Sequence, residues 1–279
     1  MAEFNVNLPY FDGLLEKIRE GDAEVIEAFG FHVHWGYWSD PAAADGSVAD
    51  FARAAEKLSR RVCDAAKLKD GMRILEVGCG FGGNISSLCD RYSNLELVGL
   101  NIDARQLARA RELVQPRNNN KVEFVCADAC EIPFADSSFD AVIAVECIFH
   151  FPSRERFFKE AQRVLKSPGS LALSDFVPQG WLIPFAKLTN PFFQSPVTKV
   201  FGDMDGNYAI ENYRDLARNT GFVSGLEEDI TVNTLPTYPA LKKMLQNRKM
   251  KDVEGVNSLI ELVSRLNLIR YMILSFDKA

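Results

Sequence analysis

The stretch that most constrains this chain is ILEVGCGFGGNISSLC, Ile74–Cys89, in which Gly78, Gly80, Gly82 and Gly83 fall between an apolar run and a helical pattern. Glycine admits positive φ and lets backbone N–H groups approach a ligand with no Cβ in the way. A strand, a glycine turn and a helix in that order predict the first βα crossover of a parallel sheet, where open α/β sheets bind ligands at the carboxyl ends of their strands. The loop therefore reads as a cradle for a cofactor.

The chain around it supports such a sheet. From about Lys67 to Phe176, short apolar runs rich in β-branched residues alternate with longer helical patterns, the order that a doubly wound α/β fold requires. The predicted strands are Arg73–Val77, Glu96–Leu100, Val122–Asp128, Phe139–Cys147 and Ser170–Phe176. The fourth, FDAVIAVEC, is nearly all apolar, as a strand covered on both faces should be. ARQLARARELV puts Leu107, Ala110, Leu113 and Val114 on one helical face, and Ser153 is the expected N-cap of SRERFFKEAQRVLK. A helix over 238–266 and a last strand, Tyr271–Phe276, close the pattern.

Residues 1–66 read as a mostly helical cap, with a helix over 47–66 and the aromatic loop Phe31–Pro41 inside it, and residues 67–279 as the core. Within that core, 177–225 is rich in Pro and aromatics, including Trp181, Phe185, Phe192, Phe193, Phe201, Met204 and Tyr208, and has no clean period. It reads as a lid insertion over an apolar or amphipathic acceptor.

Composition narrows the partners. With 32 Lys and Arg against 38 Asp and Glu the formal charge is −6, which argues against a nucleic-acid or anionic-membrane footprint. The cysteines Cys63, Cys79, Cys89, Cys126, Cys130 and Cys147 sit in apolar segments without paired metal-ligand spacings, so they read as reduced core thiols and no metal is expected. Acids near the first residues and the lack of a basic start followed by an apolar run argue against a secretory signal, and no apolar run is long enough for a membrane helix. The expected setting is cytoplasmic, as a monomer or homodimer.

The cofactor follows from what the loop lacks. There is no GxxxxGK[ST], and the spacing GxGxGG departs from the GxGxxG of dinucleotide folds. Glu76, at the end of the first strand, would repel a pyrophosphate but suits an ammonium group. These features favour S-adenosyl-L-methionine, a zwitterion with a sulfonium.

Here the chain resembles the class I S-adenosylmethionine-dependent methyltransferases, whose first motif E-x-G-x-G-x-G matches Glu76 to Gly82. The resemblance runs from about Leu68 to Phe176 and implies a Rossmann-like, seven-stranded, mainly parallel sheet with N-terminal helices. On it, Glu76, Gly78 and Gly80 belong to the cofactor loop. Asn101, Ile102 and Gln106 resemble the ribose-binding segment, with Asn101 where the family commonly has a carboxylate. Asp128 and Ala129 stand where the family contacts adenine, and RVLKSPGSLALSDF resembles the turn before strand five. GLN-I followed by Gln is similar to the small-molecule branch that includes tocopherol, sarcosine and rebeccamycin-type sugar methyltransferases.

The same resemblance supplies candidates for the chemistry. VECIFHF resembles the family's E-S-x-H-H, with His150 on the second histidine and Phe149 on the first, which is the base in the sugar methyltransferases. His150 and Asp175, at the end of strand five, are the catalytic candidates, while Glu146 is grouped with the cofactor-lining residues or reads as a lid anchor. His34 to Trp38 resembles the H-x-G-Y-W segment, and Tyr37 and Trp38 are expected to offer aromatic faces to the sulfonium. The implied reaction is methyl transfer to a small, apolar or amphipathic acceptor, with O-methylation expected first. C- or N-methylation and a non-catalytic cofactor-binding subunit are the alternatives.

Overall fold

In a computed structural model, residues 7–184, 197–246 and 251–279 are described. Helices α1 (Pro9–Arg19), α2 (Ala23–Phe29) and α3 (Val48–Ala65) lead into β1 (Arg73–Val77). Then follow α4 (Gly83–Arg91), β2 (Glu96–Asn101), α5 (Ala104–Leu113), β3 (Lys121–Cys126), β4 (Phe139–Val145), α6 (Arg154–Val164) and β5 (Leu165–Pro178). The chain closes with α7 (Ile210–Thr220), β6 (Phe222–Asp229), α8 (Thr237–Gln246), α9 (Lys251–Arg265) and β7 (Ile269–Lys278).

The strands form one 7-stranded sheet in the order β3-β2-β1-β4-β5-β7-β6. Pairings from β3 through β5 are parallel, whereas β7 runs antiparallel to both β5 and β6. The order in which strands are added reverses between β1 and β4, which leaves the carboxyl ends of these two parallel central strands side by side at the switch point where such sheets hold ligands.

Period-two alternation divides each central strand between two layers. Leu75, Val77, Val142, Ala144, Leu171 and Leu173 point to one face, where Phe157, Phe158 and Ala161 of α6 and Tyr213 and Leu216 of α7 cover them. Ile74, Leu97, Ala141, Ile143 and Ala172 point to the other, under Leu58, Val62 and Cys63 of α3 and Ile85 and Leu88 of α4. Each such side chain taken fully out of water contributes about 1.5–3 kcal/mol, so the two layers are what keep the strand ends in place. The expected Ser153 cap is present, its hydroxyl accepting from the Arg156 N–H.

Several boundaries differ from the sequence reading. The helix expected over 238–266 is two helices, α8 and α9, and both line one cavity. Residues 210–225, taken as part of a lid, are α7 and the start of β6, so the connection from β5 to α7 spans 179–209. β6 escaped notice because it is an edge strand, with Val223 and Leu226 exposed and its register to β7 broken between Ser224 and Glu227. Phe185, Phe192 and Phe193 lie outside the described residues.

Candidate functional site

The glycine loop leaves the end of β1 and turns into α4. Gly78 has φ +65°, and a Cβ there would come within 2.6 Å of the Cys147 Cβ in the segment after β4. Gly80, at φ +54°, differs: an added Cβ would meet nothing within 4 Å and would project into open space. The first glycine thus lets two strand ends meet, and the second keeps a cavity clear.

That cavity is lined by Glu76, Gly78 and Gly80, by Asn101, Ile102 and Gln106 after β2, by Asp128 and Ala129 after β3, and by Glu146 and His150 after β4. The structure brings these expected residues to one place although they span some 75 positions of sequence. Asn101 and Gln106 are buried and coupled, with the Asn101 Nδ2 donating to the Gln106 Oε1 at 3.1 Å and its Oδ1 accepting from the Asp103 N–H at 3.0 Å. Each amide keeps further hydrogen-bonding capacity. Asp103, the nearest carboxylate, is tied to Arg105 at 2.7 Å and does not line the cavity. Asp128 caps no helix; its Oδ1 accepts from the Cys130 N–H at 2.8 Å in a local turn.

Glu76 is 3% exposed, and its Oε2 has no hydrogen-bond partner. Burial pushes its pKa up to about 8, opposed by a bond with Asn84. An orphaned carboxylate oxygen in a cavity with cleared glycines and paired amides fits a ligand carrying an ammonium group, a ribose and an adenine.

A second, larger cavity of about 650 Å³ adjoins the first. Its walls are mostly apolar and come from α1, α2, the 179–209 connection and the C-terminal helices, including Leu14, Phe29, Leu182, Phe201, Met204 and Ile260. Tyr10, Val33, His34, Glu146 and His150 line both cavities and so mark where they meet.

His150 sits at this meeting point. Its Nδ1 donates to the Asp203 carbonyl at 3.1 Å, which leaves Nε2 as the acceptor, 3.5 Å from the Tyr10 hydroxyl. Burial lowers its pKa to about 4. His34 has no nitrogen to spare, because Nδ1 donates to the Trp35 carbonyl at 2.8 Å and Nε2 meets the Ser59 hydroxyl at 3.0 Å.

Other expectations land elsewhere. Asp175 is 0% exposed and lines neither cavity. Its Oδ2 accepts from the Arg154 Nη2 at 3.0 Å and from the Tyr213 hydroxyl, and Oδ1 accepts from the Phe176 N–H at 2.8 Å. Both oxygens of this carboxylate are occupied: Oδ2 ties α6 and α7 to the sheet, and Oδ1 holds the backbone of β5 itself. Trp38 is buried among Phe51, Ala54 and Met244 with its Nε1 donating to Asp50 at 2.7 Å, and Tyr37 lies under the Arg61 guanidinium. Neither lines either of the two cavities; the Trp38 ring packs against Gly36, and Phe31, His32, Val33 and His34 line the smaller cavity instead. Trp181 is 62% exposed, whereas its neighbours Leu182 and Ile183 face the large cavity.

The sequence reading missed Tyr10 and Phe11 of α1, which reach the cofactor cavity from the far end of the chain. The available signal was aromatic residues on the buried face of an amphipathic N-terminal helix. Among the described residues no group of His, Cys, Asp and Glu is arranged to hold a metal ion, and no helix is long and apolar enough to cross a membrane.

A doubly wound sheet with an antiparallel seventh strand, a glycine loop without a phosphate-binding lysine and an adjoining apolar cavity define a cofactor-dependent transferase frame. Known proteins agree. A methyltransferase-domain family matches residues 75–173. The chain is 32% identical to Methyltransferase GfsG of Streptomyces halstedii over 236 residues, 83% of this chain and 78% of that protein. It is 29% identical to the 27-O-demethylrifamycin SV methyltransferase of Amycolatopsis mediterranei over 233 residues, 83% and 81% of the two chains. Its fold matches mycolic acid cyclopropane synthase CmaA1, complexed with SAH and CTAB, with a TM-score of 0.74 at 18% identity over 88% of this chain and 90% of that one. The chain belongs to the class I S-adenosylmethionine-dependent methyltransferases.

Proposed function

We propose that the chain methylates a hydroxyl group on a small, largely apolar molecule. The observation that carries this reading is the apolar cavity of about 650 Å³ meeting the cofactor cavity at Tyr10, Val33, His34, Glu146 and His150. A pocket of that size takes a drug-sized molecule. Its lining contains Lys17, which pairs with Glu20 at 2.6 Å, and no other Lys or Arg among the described residues, so a diphosphate or nucleic acid would find little compensation there. The relative that acts on 27-O-demethylrifamycin SV carries an acceptor of the same general kind in its name.

The residues have separable roles. Glu76 stands where it can face an ammonium group, Asn101, Ile102 and Gln106 a ribose, and Asp128 and Ala129 an adenine. S-adenosylmethionine, when bound, supplies an electrophilic methyl group. The protein then has to align the acceptor oxygen, exclude water and take up a proton. His150 is the assigned base: the Asp203 carbonyl fixes its Nδ1–H, burial keeps it neutral, and Nε2 is the accepting nitrogen, met by the Tyr10 hydroxyl at a long 3.5 Å. Asp175 is not assigned this role, since Arg154 and Tyr213 occupy it.

One observation favours a second reading, transfer to nitrogen or to an activated carbon. The low pKa of His150, about 4, makes it a weak base, which suits an acceptor that needs little help. The test is release of S-adenosylhomocysteine on incubation with S-adenosylmethionine and matched apolar phenols, alcohols and amines. Turnover with hydroxylated members supports O-methylation; turnover confined to amines would transfer the assignment, and no turnover with any member counts against catalysis.

A further inference from the structure

Glu146 is the acid that lines both cavities, and the mechanism above gives it no task. It sits just past β4 with φ +48°, a conformation uncommon for a residue with a side chain. A closed set of hydrogen bonds holds it there. The Glu146 N–H donates to the Ser174 Oγ at 3.1 Å, the Ser174 and Tyr271 hydroxyls are 3.2 Å apart, and the Tyr271 hydroxyl donates to the Glu146 Oε2 at 2.8 Å. Because the tyrosine proton goes to the carboxylate, the Ser174 proton must go to the tyrosine oxygen. The Trp35 N–H donates to the same Oε2 at 2.8 Å.

All of these bonds to the carboxyl group end on Oε2. Among the described residues Oε1 receives none, so a proton can come or go at Oε1 without breaking the clamp. We propose that Glu146 is a charge sensor for the sulfonium: it ionises when a positive sulfur occupies the cofactor cavity, and thereby makes that cavity prefer S-adenosylmethionine to S-adenosylhomocysteine. This rests on the methyltransferase reading, under which the methyl group must lie where the two cavities meet.

Among the described residues the surroundings supply no competing cation. The groups around Glu146 are Tyr10 of α1, His34 and Trp35 of the N-terminal loop, Cys147, His150, Asp175 of β5, Tyr238 of α8 and Tyr271 of β7. Burial keeps His34 and His150 neutral at pH 7, with pKa values of about 3 and about 4. Burial, with the negative charge of Asp175 as a smaller cause, raises Glu146 to about 8, against the pull of Trp35 and Tyr271. At pH 7 the free protein therefore holds this carboxyl group mostly protonated. A cation placed beside it favours the charged form, so the sulfonium drives the proton off, whereas the neutral thioether of the product leaves it on. Glu76 is also raised to about 8, but the ammonium it suits is common to both ligands, so its contribution largely cancels when the two are compared.

The experiment is calorimetric titration of the full chain with S-adenosylmethionine and with S-adenosylhomocysteine from pH 6 to 9, in buffers of high and low ionisation enthalpy, for wild type, Glu146→Gln and Tyr271→Phe. Wild type should release about one more proton with S-adenosylmethionine at pH 7, and its affinity for that ligand, relative to the product, should rise about tenfold from pH 7 to pH 9. Glu146→Gln should remove this difference. Tyr271→Phe keeps the carboxyl group but takes away one donor, and should move the midpoint of the S-adenosylmethionine curve to higher pH with the product curve unmoved. Equal pH dependence for the two ligands in wild type, or a difference that survives in Glu146→Gln, overturns the proposal alone. Binding of neither ligand overturns it together with the cofactor reading beneath it.

Discussion

Replacing Asp175 with Asn separates a structural role from a catalytic one. The carboxylate is fully buried, and the Arg154 side chain that it meets at 3.0 Å is 2% exposed. Burial raises the Asp175 carboxyl group, the guanidinium opposes that rise, and Arg154 itself is held well above its ordinary value. In Asp175→Asn one face turns from acceptor to donor, or rotates and strands the Phe176 N–H, and the guanidinium is left to Asp205, whose carboxylate is 3.1 Å away and 52% exposed. Removing one partner of a buried pair costs about 3–5 kcal/mol. At about 2.1 cal/mol/K per residue over 279 residues, the unfolding entropy is near 0.6 kcal/mol/K, so Tm should fall by about 5–8 °C. Urea unfolding should show a lower midpoint at unchanged slope, and calorimetry should show nearly unchanged S-adenosylhomocysteine affinity below the transition. An Asp175→Asn protein with wild-type Tm and a turnover loss of about 10²-fold or more would refute the reasoning and restore Asp175 as a base.

Further outcomes follow from the same geometry. Gly80→Val should abolish S-adenosylhomocysteine binding in calorimetry, since its side chain would enter the cleared space at a φ of +54°; undiminished affinity would remove this loop from the cofactor site. His150→Ala should lower turnover by about 10²–10⁴-fold and delete the acid limb of the pH–rate profile, which burial places near 4. Glu76→Gln should flatten the pH dependence of stability in the cofactor-free protein. The raised folded-state pKa of Glu76, about 8 against 4.5, means a contribution present below about 4.5 and lost as pH rises through 8, on the order of a few kcal/mol, measurable as Tm from pH 5 to 9. Leu182→Ala should weaken acceptor binding more than Trp181→Ala, because Leu182 lines the large cavity and Trp181 faces outward.

What was legible in the sequence was what local pattern encodes. Gly78 and Gly80 announce a turn that gives up side chains, the apolar run of β4 announces a strand covered on both faces, and Ser153 announces a helix start; each of these features is decided within a few residues. β6 was not legible because an edge strand with one open face shows neither a continuous apolar run nor clean alternation. Asp175 illustrates the other kind of miss. A carboxylate at the end of a central strand reads the same in sequence whether it faces a cavity or a buried arginine, and Arg154 lies 21 positions away on a different element. Tyr37 and Trp38 illustrate a similar point: an aromatic run shows that something is packed, but not that Trp38 packs against Phe51 and Ala54 and Tyr37 under Arg61 rather than along the cavity.

The two cavities also draw on different parts of the chain, and this bears on how the acceptor can be found. Of the residues lining the large cavity, only Glu146, Phe149 and His150 fall within the family match at 75–173. The rest come from the N-terminal helices and the loop between α2 and α3, from Phe176 and Pro178 at the end of β5, from the 179–209 connection and from the segment from α8 to β7. On the proposed reading the sheet fixes the cofactor at the strand ends, since moving the residues that line the smaller cavity would disturb the two core layers beneath them. Most walls of the large cavity rest on helices, a loop and a connection outside the sheet, with Phe176, Pro178 and Ile269 at the ends of β5 and β7, so a change of side chain there alters the shape of the cavity without reaching the layers of β1 and β4. Acceptor choice should therefore be transferable by exchanging these flanking segments with those of a relative while β1 to β4 stay as they are. A chimera that binds S-adenosylhomocysteine with wild-type affinity yet keeps the original acceptor would place specificity back with Phe149 and His150 at the meeting point.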